Sequence, residues 1–175
     1  MDFLASQGFL ELYKLIVLYM LNRVDFPLTQ AQISEFILNK GYTGYLPLQQ
    51  AFSQLAETGL VRTHSTFNRT TITITEDGKN TISYFKGEIP DVVRQDIDTY
   101  FKEHSLALRD QVSVTSNYYK TTAGDFEALL SAKDRETLLV EIKLSVPTPE
   151  LADSICNNWS KKNQEVYETL TKMLF

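Results

Sequence analysis

The sequence predicts an α+β fold. Helices dominate its first half, and the second is a small domain of three antiparallel strands covered by one long C-terminal helix. Three observations predict it. Apolar residues recur at steps of three and four from Phe9 through Phe101, broken only by one stretch rich in β-branched residues. From Leu106 to Val146 the apolar residues alternate with polar ones, the period of a half-buried strand. After Thr148-Pro149 helical spacing returns and runs to the end.

The elements follow in order. Phe9, Leu12, Tyr13, Ile16, Val17 and Met20 define a first helix, stopped at Asp25-Phe26-Pro27 because proline pushes its predecessor out of the helical region. Leu10, Leu15, Leu18, Tyr19 and Leu21 widen its apolar surface beyond the need of a three-helix core. That surplus predicts burial against the second domain or a partner subunit. In LTQAQISEFILNKG, Thr29 and Gln32 have capping-box spacing, Ile33, Phe36 and Ile37 share a face, and Gly41 is a left-handed stop. After GYTGY, a third helix carries Leu48, Phe52 and Leu55 on one side and ends at Gly59.

Leu60–His64 and Thr70–Ile74 read as a hairpin turning at 66–69. Thr75 then caps a helix with Glu76 and Asp77 in its first turn, packed by Ile82 and Phe85. A further helix starts near Pro90, with Val93, Ile97, Tyr100 and Phe101 as its stripe, and ends near His104. Leu106, Leu108, Val112 and Val114 open the first of the three strands. Phe126–Ala132 and Leu138–Val146 supply the other two, linked by Thr121–Gly124 and Lys133–Arg135. Thr148 caps the last helix, whose stripe is Leu151, Ile155, Trp159, Val166, Leu170 and Met173. The expected division is 1–87, a helical linker 88–105, and an α+β domain 106–175 that dimerises or senses an effector.

Composition narrows the function. The chain is 43% hydrophobic and 22% charged, enough apolar content for a core. One cysteine, Cys156, forms no internal disulfide and fits a reducing compartment. The apolar N-terminal run is interrupted by Glu11 and Lys14, lacks signal-peptide flanks, and is too short without charge to span a bilayer. A cytoplasmic protein is expected. The formal net charge is -5. Residues 1–87 are neutral and the excess acid lies in 88–175, so neither part is a basic nucleic-acid module by charge alone.

The N-terminal order is two short helices joined by a tight turn, L-A-E-T-G-L-V into a hairpin, then T-E-D-G into a helix. Over about residues 8–87 this resembles a bacterial winged helix-turn-helix transcriptional regulator of the MarR or PadR type. The second half does not resemble the helical dimerisation region of MarR proteins. The whole is more similar to a bacterial family that joins a winged helix to a small α+β domain. The resemblance implies a homodimeric regulator that binds double-stranded DNA, with the third helix in the major groove and the hairpin as its wing. Carried over by position, the groove-facing candidates are Thr43, Tyr45, Gln49, Gln50 and Ser53. The wing candidates are Arg62, His64, Asn68 and Arg69, with Arg69 suited to phosphate or the minor groove.

The rival expectation is a winged helix that contacts protein and not DNA, which the sparse positive charge favours. Catalysis is not expected. The chain has no phosphate loop, nucleophile elbow or dinucleotide glycine run, and His64, His104 and Cys156 lack metal-site spacing. Asp96/Asp98 and Glu76/Asp77 read as helix-start or solvent-face acids, and Trp159 as core in preference to a pocket with Tyr118 and Tyr119. No cofactor or metal is expected.

Overall fold

The computed structural model describes residues 3–66, 69–135 and 137–175. The predicted α+β class is observed: helices, two three-stranded antiparallel sheets and a long C-terminal helix. The chain divides into two compact units, Met1–Arg109 and Asp110–Phe175.

The first unit runs α1 (Phe3–Asn22), β1 (Leu28–Thr29), α2 (Gln30–Asn39), α3 (Tyr45–Glu57), β2 (Val61–Thr66), β3 (Arg69–Ile74), α4 (Glu76–Phe85), a 3-10 turn (Lys86–Glu88) and α5 (Asp91–Ser113), whose last residues cross the unit boundary. β3 lies between β1 and β2, pairing Leu28 with Ile72 on one side and Val61 through Thr66 with Ile74 through Arg69 on the other. β1 was not expected. Two residues carry no period, and Leu28–Thr29 is a strand only because β3 lies beside it.

α1 is the centre of this unit. Leu15, Ile16, Val17, Leu18, Met20 and Leu21 are all buried, which wraps the burial around the helix from Leu15 to Leu21, while Phe9 of the expected stripe is 58% exposed. α3, α4 and β3 pack on it. Of the surplus apolar residues, Leu15, Leu18 and Leu21 are buried while Leu10 and Tyr19 are half-buried.

The cap chemistry holds as expected. The Thr29 hydroxyl accepts from Gln32 N at 3.0 Å, and Gln32 Oε1 accepts from Thr29 N at 2.8 Å. Gln32 is 7% exposed and its Nε2 also donates to the Leu108 carbonyl at 3.2 Å, so one side chain ties the start of α2 to α5. Gly41 (φ 70°) and Gly59 (φ 73°) end α2 and α3 in the left-handed region. Gln32→Ala is expected to lower stability by about 1–2 kcal/mol in a urea titration, because it removes half the box and leaves the buried Thr29 N–H without its acceptor.

Two further expectations are corrected. Phe85 is 47% exposed; the 3-10 turn after it delivers Ile89, 1% exposed, to the core in its place. The helix expected to stop near His104 runs to Ser113 as α5, so Leu106, Leu108 and Val112 are helical and not strand. Leu108 is buried seven residues after Phe101, and a short alternation fits that period as well as a strand's.

The second unit contains β4 (Val114–Lys120), β5 (Phe126–Asp134), β6 (Thr137–Val146) and α6 (Pro149–Leu174), with sheet order β4-β5-β6. Thr148 and Pro149 start α6 as expected. Leu130, Ala132 and Trp159 form its core, flanked by Val114, Val140, Ile142, Ile155, Cys156 and Val166. The stripe on α6 is buried only in part: Leu151 is 48% and Met173 77% exposed.

Candidate nucleic-acid interface

α3 is amphipathic because Leu48, Ala51, Phe52 and Leu55 recur at steps of three and four and are buried on the core. At 100° per residue, Leu46, Gln50 and Ser53 fall on the opposite face, Gln49 lies on the flank of the buried stripe, and Tyr45 stands in the first turn nearer the stripe's own direction. Tyr45 is 61% and Leu46 77% exposed; Gln50 and Ser53 are exposed and Gln49 is half-buried. Thr43, half-buried, lies in the turn before the helix. Gly44 is the N-cap and contributes no side-chain hydrogen bond, and the first turn carries no acid to repel a phosphate.

Gln49 is held in place. Gln30 Nε2, at the start of α2, donates to Gln49 Oε1 at 2.8 Å. The oxygen keeps a second lone pair and the NH2 keeps its protons, so the carboxamide can still pair with a base edge. Fixing it beforehand lowers the entropy lost on binding.

The turn between α2 and α3 is anchored on α5. The Tyr42 hydroxyl donates to Asp96, and Lys40 Nζ lies 3.3 Å from the same carboxylate. Burial and the hydrogen bond to Asp96 hold the Tyr42 phenol well above its ordinary range. The Tyr42 bond, aided by Lys40, holds the Asp96 carboxyl below its usual range. Asp98 has separate partners, Arg23 at 2.8 Å and the Tyr19 hydroxyl at 3.1 Å. The two acids therefore brace different elements and do not share a pocket. Glu76 pairs with Lys79 in the first turn of α4.

The hairpin register sorts its side chains. Val61 and Ile72 are buried, and Val61, Thr63 and Ser65 lie opposite Ile74, Ile72 and Thr70 on the core-facing side. Arg62 lies opposite Thr73 and His64 opposite Thr71, and Arg69 continues that second set along β3. The strand alternation thus gathers Arg62, His64, Arg69, Thr71 and Thr73 on the face turned from the core. Asn68, the remaining wing candidate, lies outside the described residues. Elsewhere in the unit, Lys14, Arg23, Lys40, Lys79 and Arg94 are in ion pairs with nearby acids, which reduces the cations free to meet a polyanion.

Sequence reasoning missed two residues. Leu46 was readable, since it lies four residues before Gln50 on the same face. Gln30 was not, because its contact with Gln49 exists only once α2 and α3 pack. Cys156 is half-buried and its thiol is pushed up by burial, as expected of a small core residue. His104 Nδ1 lies 2.9 Å from the Tyr100 carbonyl and its ring stacks on Tyr100. Among the described residues, no group of three His, Cys, Asp or Glu side chains is placed to hold a metal, and no helix is long and apolar enough to cross a membrane.

The family model described as "Domain of unknown function (DUF4364)" matches residues 13–174, and the chain belongs to that family. Comparison with curated proteins and with solved structures gave no match.

Proposed function

We propose that this chain is a cytoplasmic, homodimeric transcriptional regulator whose first unit is a winged helix-turn-helix of the MarR or PadR kind, with α3 reading double-stranded DNA. The observation that carries the reading is the outward face of α3. Tyr45, Leu46, Gln49, Gln50 and Ser53 are left off the core, and one of them is pre-set by Gln30. Glutamine suits adenine, serine suits base or phosphate, and an apolar tip suits the thymine methyl. The outward face of the hairpin adds Arg62, His64 and Arg69 as phosphate or minor-groove contacts. With so few cations the nonspecific background is weak and the salt dependence shallow, so specificity rests on α3 and on a second subunit.

The test is binding of genomic duplex fragments at about 50 mM and about 150 mM salt. Arg69→Ala is expected to weaken every fragment and flatten the salt slope by about 1. Gln49→Ala is expected to cost about 1–3 kcal/mol on the preferred fragment and to relax selectivity. If no fragment binds even at low salt, the reading is wrong. If both variants bind like wild type, the reading face is misassigned.

One observation favours a second reading, an adaptor that docks protein. Tyr45 and Leu46 are adjacent exposed apolar side chains, and α3 carries no lysine or arginine. Tyr45→Ala and Leu46→Ala separate the two readings. In an adaptor they abolish capture of a partner while fragment binding is absent throughout.

A further inference from the structure

β6 is a strand of ten residues, Thr137–Val146, at the edge of its sheet, and among the described residues its neighbour is β5. Long edges with apolar side chains invite another strand, and proteins guard them with charge, bulges or cover. α6 gives little cover here, because it lies chiefly over β4 and β5. Leu144 lies opposite Ala128 on the core side of the sheet, yet it is 41% exposed while Ala128 is 0% exposed. A bulge lies at the far end: Ala132 pairs with Val140 and Lys133 with Leu138, so Leu139 of β6 is the extra residue, and Val140–Val146 are left regularly paired.

The charges on this stretch do not guard it against a second copy of itself. In an antiparallel pairing about a two-fold axis through Ile142, Glu141 falls opposite Lys143 of the second copy, and Lys143 opposite Glu141. The same operation sets Val140 against Leu144 and Ile142 against Ile142. The pairs match by face. Val140, Ile142 and Leu144 are on the α6 side, opposite Ala132, Leu130 and Ala128, while Glu141 and Lys143 are on the other. Opposite charges directly across antiparallel strands attract, and apolar pairs bury each other. The opposite edge lacks this symmetry: the only charge on β4, VTSNYYK, is Lys120 at its end.

We propose that β6 is the dimer interface, and that two copies join edge to edge into one six-stranded antiparallel sheet centred on Ile142. The partner is a second copy of this chain because the register is self-complementary in charge and in apolarity. This deepens the homodimer reading above and rests on it.

Charge reversal tests it on the full chain by sedimentation equilibrium. Glu141 and Lys143 are exposed, so single reversals leave the subunit folded, which circular dichroism checks. Wild type is expected to be a dimer at tens of micromolar. Glu141→Lys or Lys143→Glu turns both attractive pairs of the dimer into repulsive ones and is expected to weaken association about tenfold or more. The double variant Glu141→Lys, Lys143→Glu restores opposite charges and is expected to recover wild-type association. As a second readout, exchange of the amides in Val140–Leu144 slows as wild-type concentration rises. A dimer indifferent to single reversal, or a double variant that stays weak, overturns the β6 interface and leaves the homodimer reading standing. A wild-type monomer overturns both.

Discussion

Gly78→Ala is expected to lower the stability of the first unit by about 3 kcal/mol, which shifts its melting temperature by roughly 10 °C. A Cβ at this position would lie 2.1 Å from the Leu60 carbonyl oxygen and 2.8 Å from an Ile74 side-chain carbon. The first obstacle is backbone, so no side chain can turn aside to make room. It is also backbone in use. Thr75 Oγ1 donates to the Gly59 and Leu60 carbonyls at 2.8 and 3.0 Å, accepts from Gly78 N at 3.1 Å, and Thr75 N donates to Leu60 at 3.1 Å. The Thr-x-x-Gly step is therefore a clamp: threonine bonds the end of α3 to the start of α4, and glycine lets the two backbones touch. The control is Gly87→Ala, where an added Cβ meets nothing within 4 Å and is expected to change stability by less than about 1 kcal/mol. Thermal melts of the two variants beside wild type check both. Equal melting temperatures for the two would refute the clamp.

The second large effect is expected in the other unit. Trp159→Ala is expected to cost about 3–5 kcal/mol and to unfold the C-terminal unit at ordinary temperature. Trp159 is 3% exposed, packs with Leu130 and Ala132, and its Nε1 donates to the Ser131 carbonyl at 3.2 Å. The unit has few other fully buried large side chains to share the loss, since Ala128, Ala132 and Ala152 are small. Limited proteolysis reads the outcome: cleavage should concentrate after Arg109, with the first unit surviving as a fragment. Trp159→Phe keeps most of the apolar contact and loses the hydrogen bond, so it is expected to fall between the two. Resistance of Trp159→Ala to protease, equal to wild type, would contradict this account of the core.

What the sequence made legible was chiefly local chemistry. Thr29 with Gln32, Gly41, Gly59, Thr75 and Thr148 each have a reason to be where they are that involves residues no more than four away, and each does what its spacing predicts. What it concealed depends on elements distant in the chain. β1 exists because β3 lies beside it, Phe85 yields its place to Ile89, and the Leu15–Leu21 part of α1 is buried all round because α3, α4 and β3 converge on that helix. The Leu106–Val112 stretch is helical and not strand because a few apolar residues fit two periods, and continuation of α5 from Phe101 to Leu108 decides between them.

The candidate site divides in the same way. The outward face of α3 follows from helical period alone, and Leu46 belonged to it from the start. That Arg62, His64 and Arg69 share one face of the hairpin needed the strand register, and that Gln49 is braced needed the packing of α2 on α3. The sparse positive charge seen in the sequence is sharper in the structure, because Lys14, Arg23, Lys40, Lys79 and Arg94 are engaged with neighbouring acids.

Selection from a pool of random duplexes at about 50 mM salt tests the proposal that α3 reads duplex DNA. Enrichment of one sequence with two related half-sites about 10 base pairs apart centre to centre is expected, with loss of that enrichment in Gln49→Ala. A pool that stays random through successive rounds at low salt would contradict it.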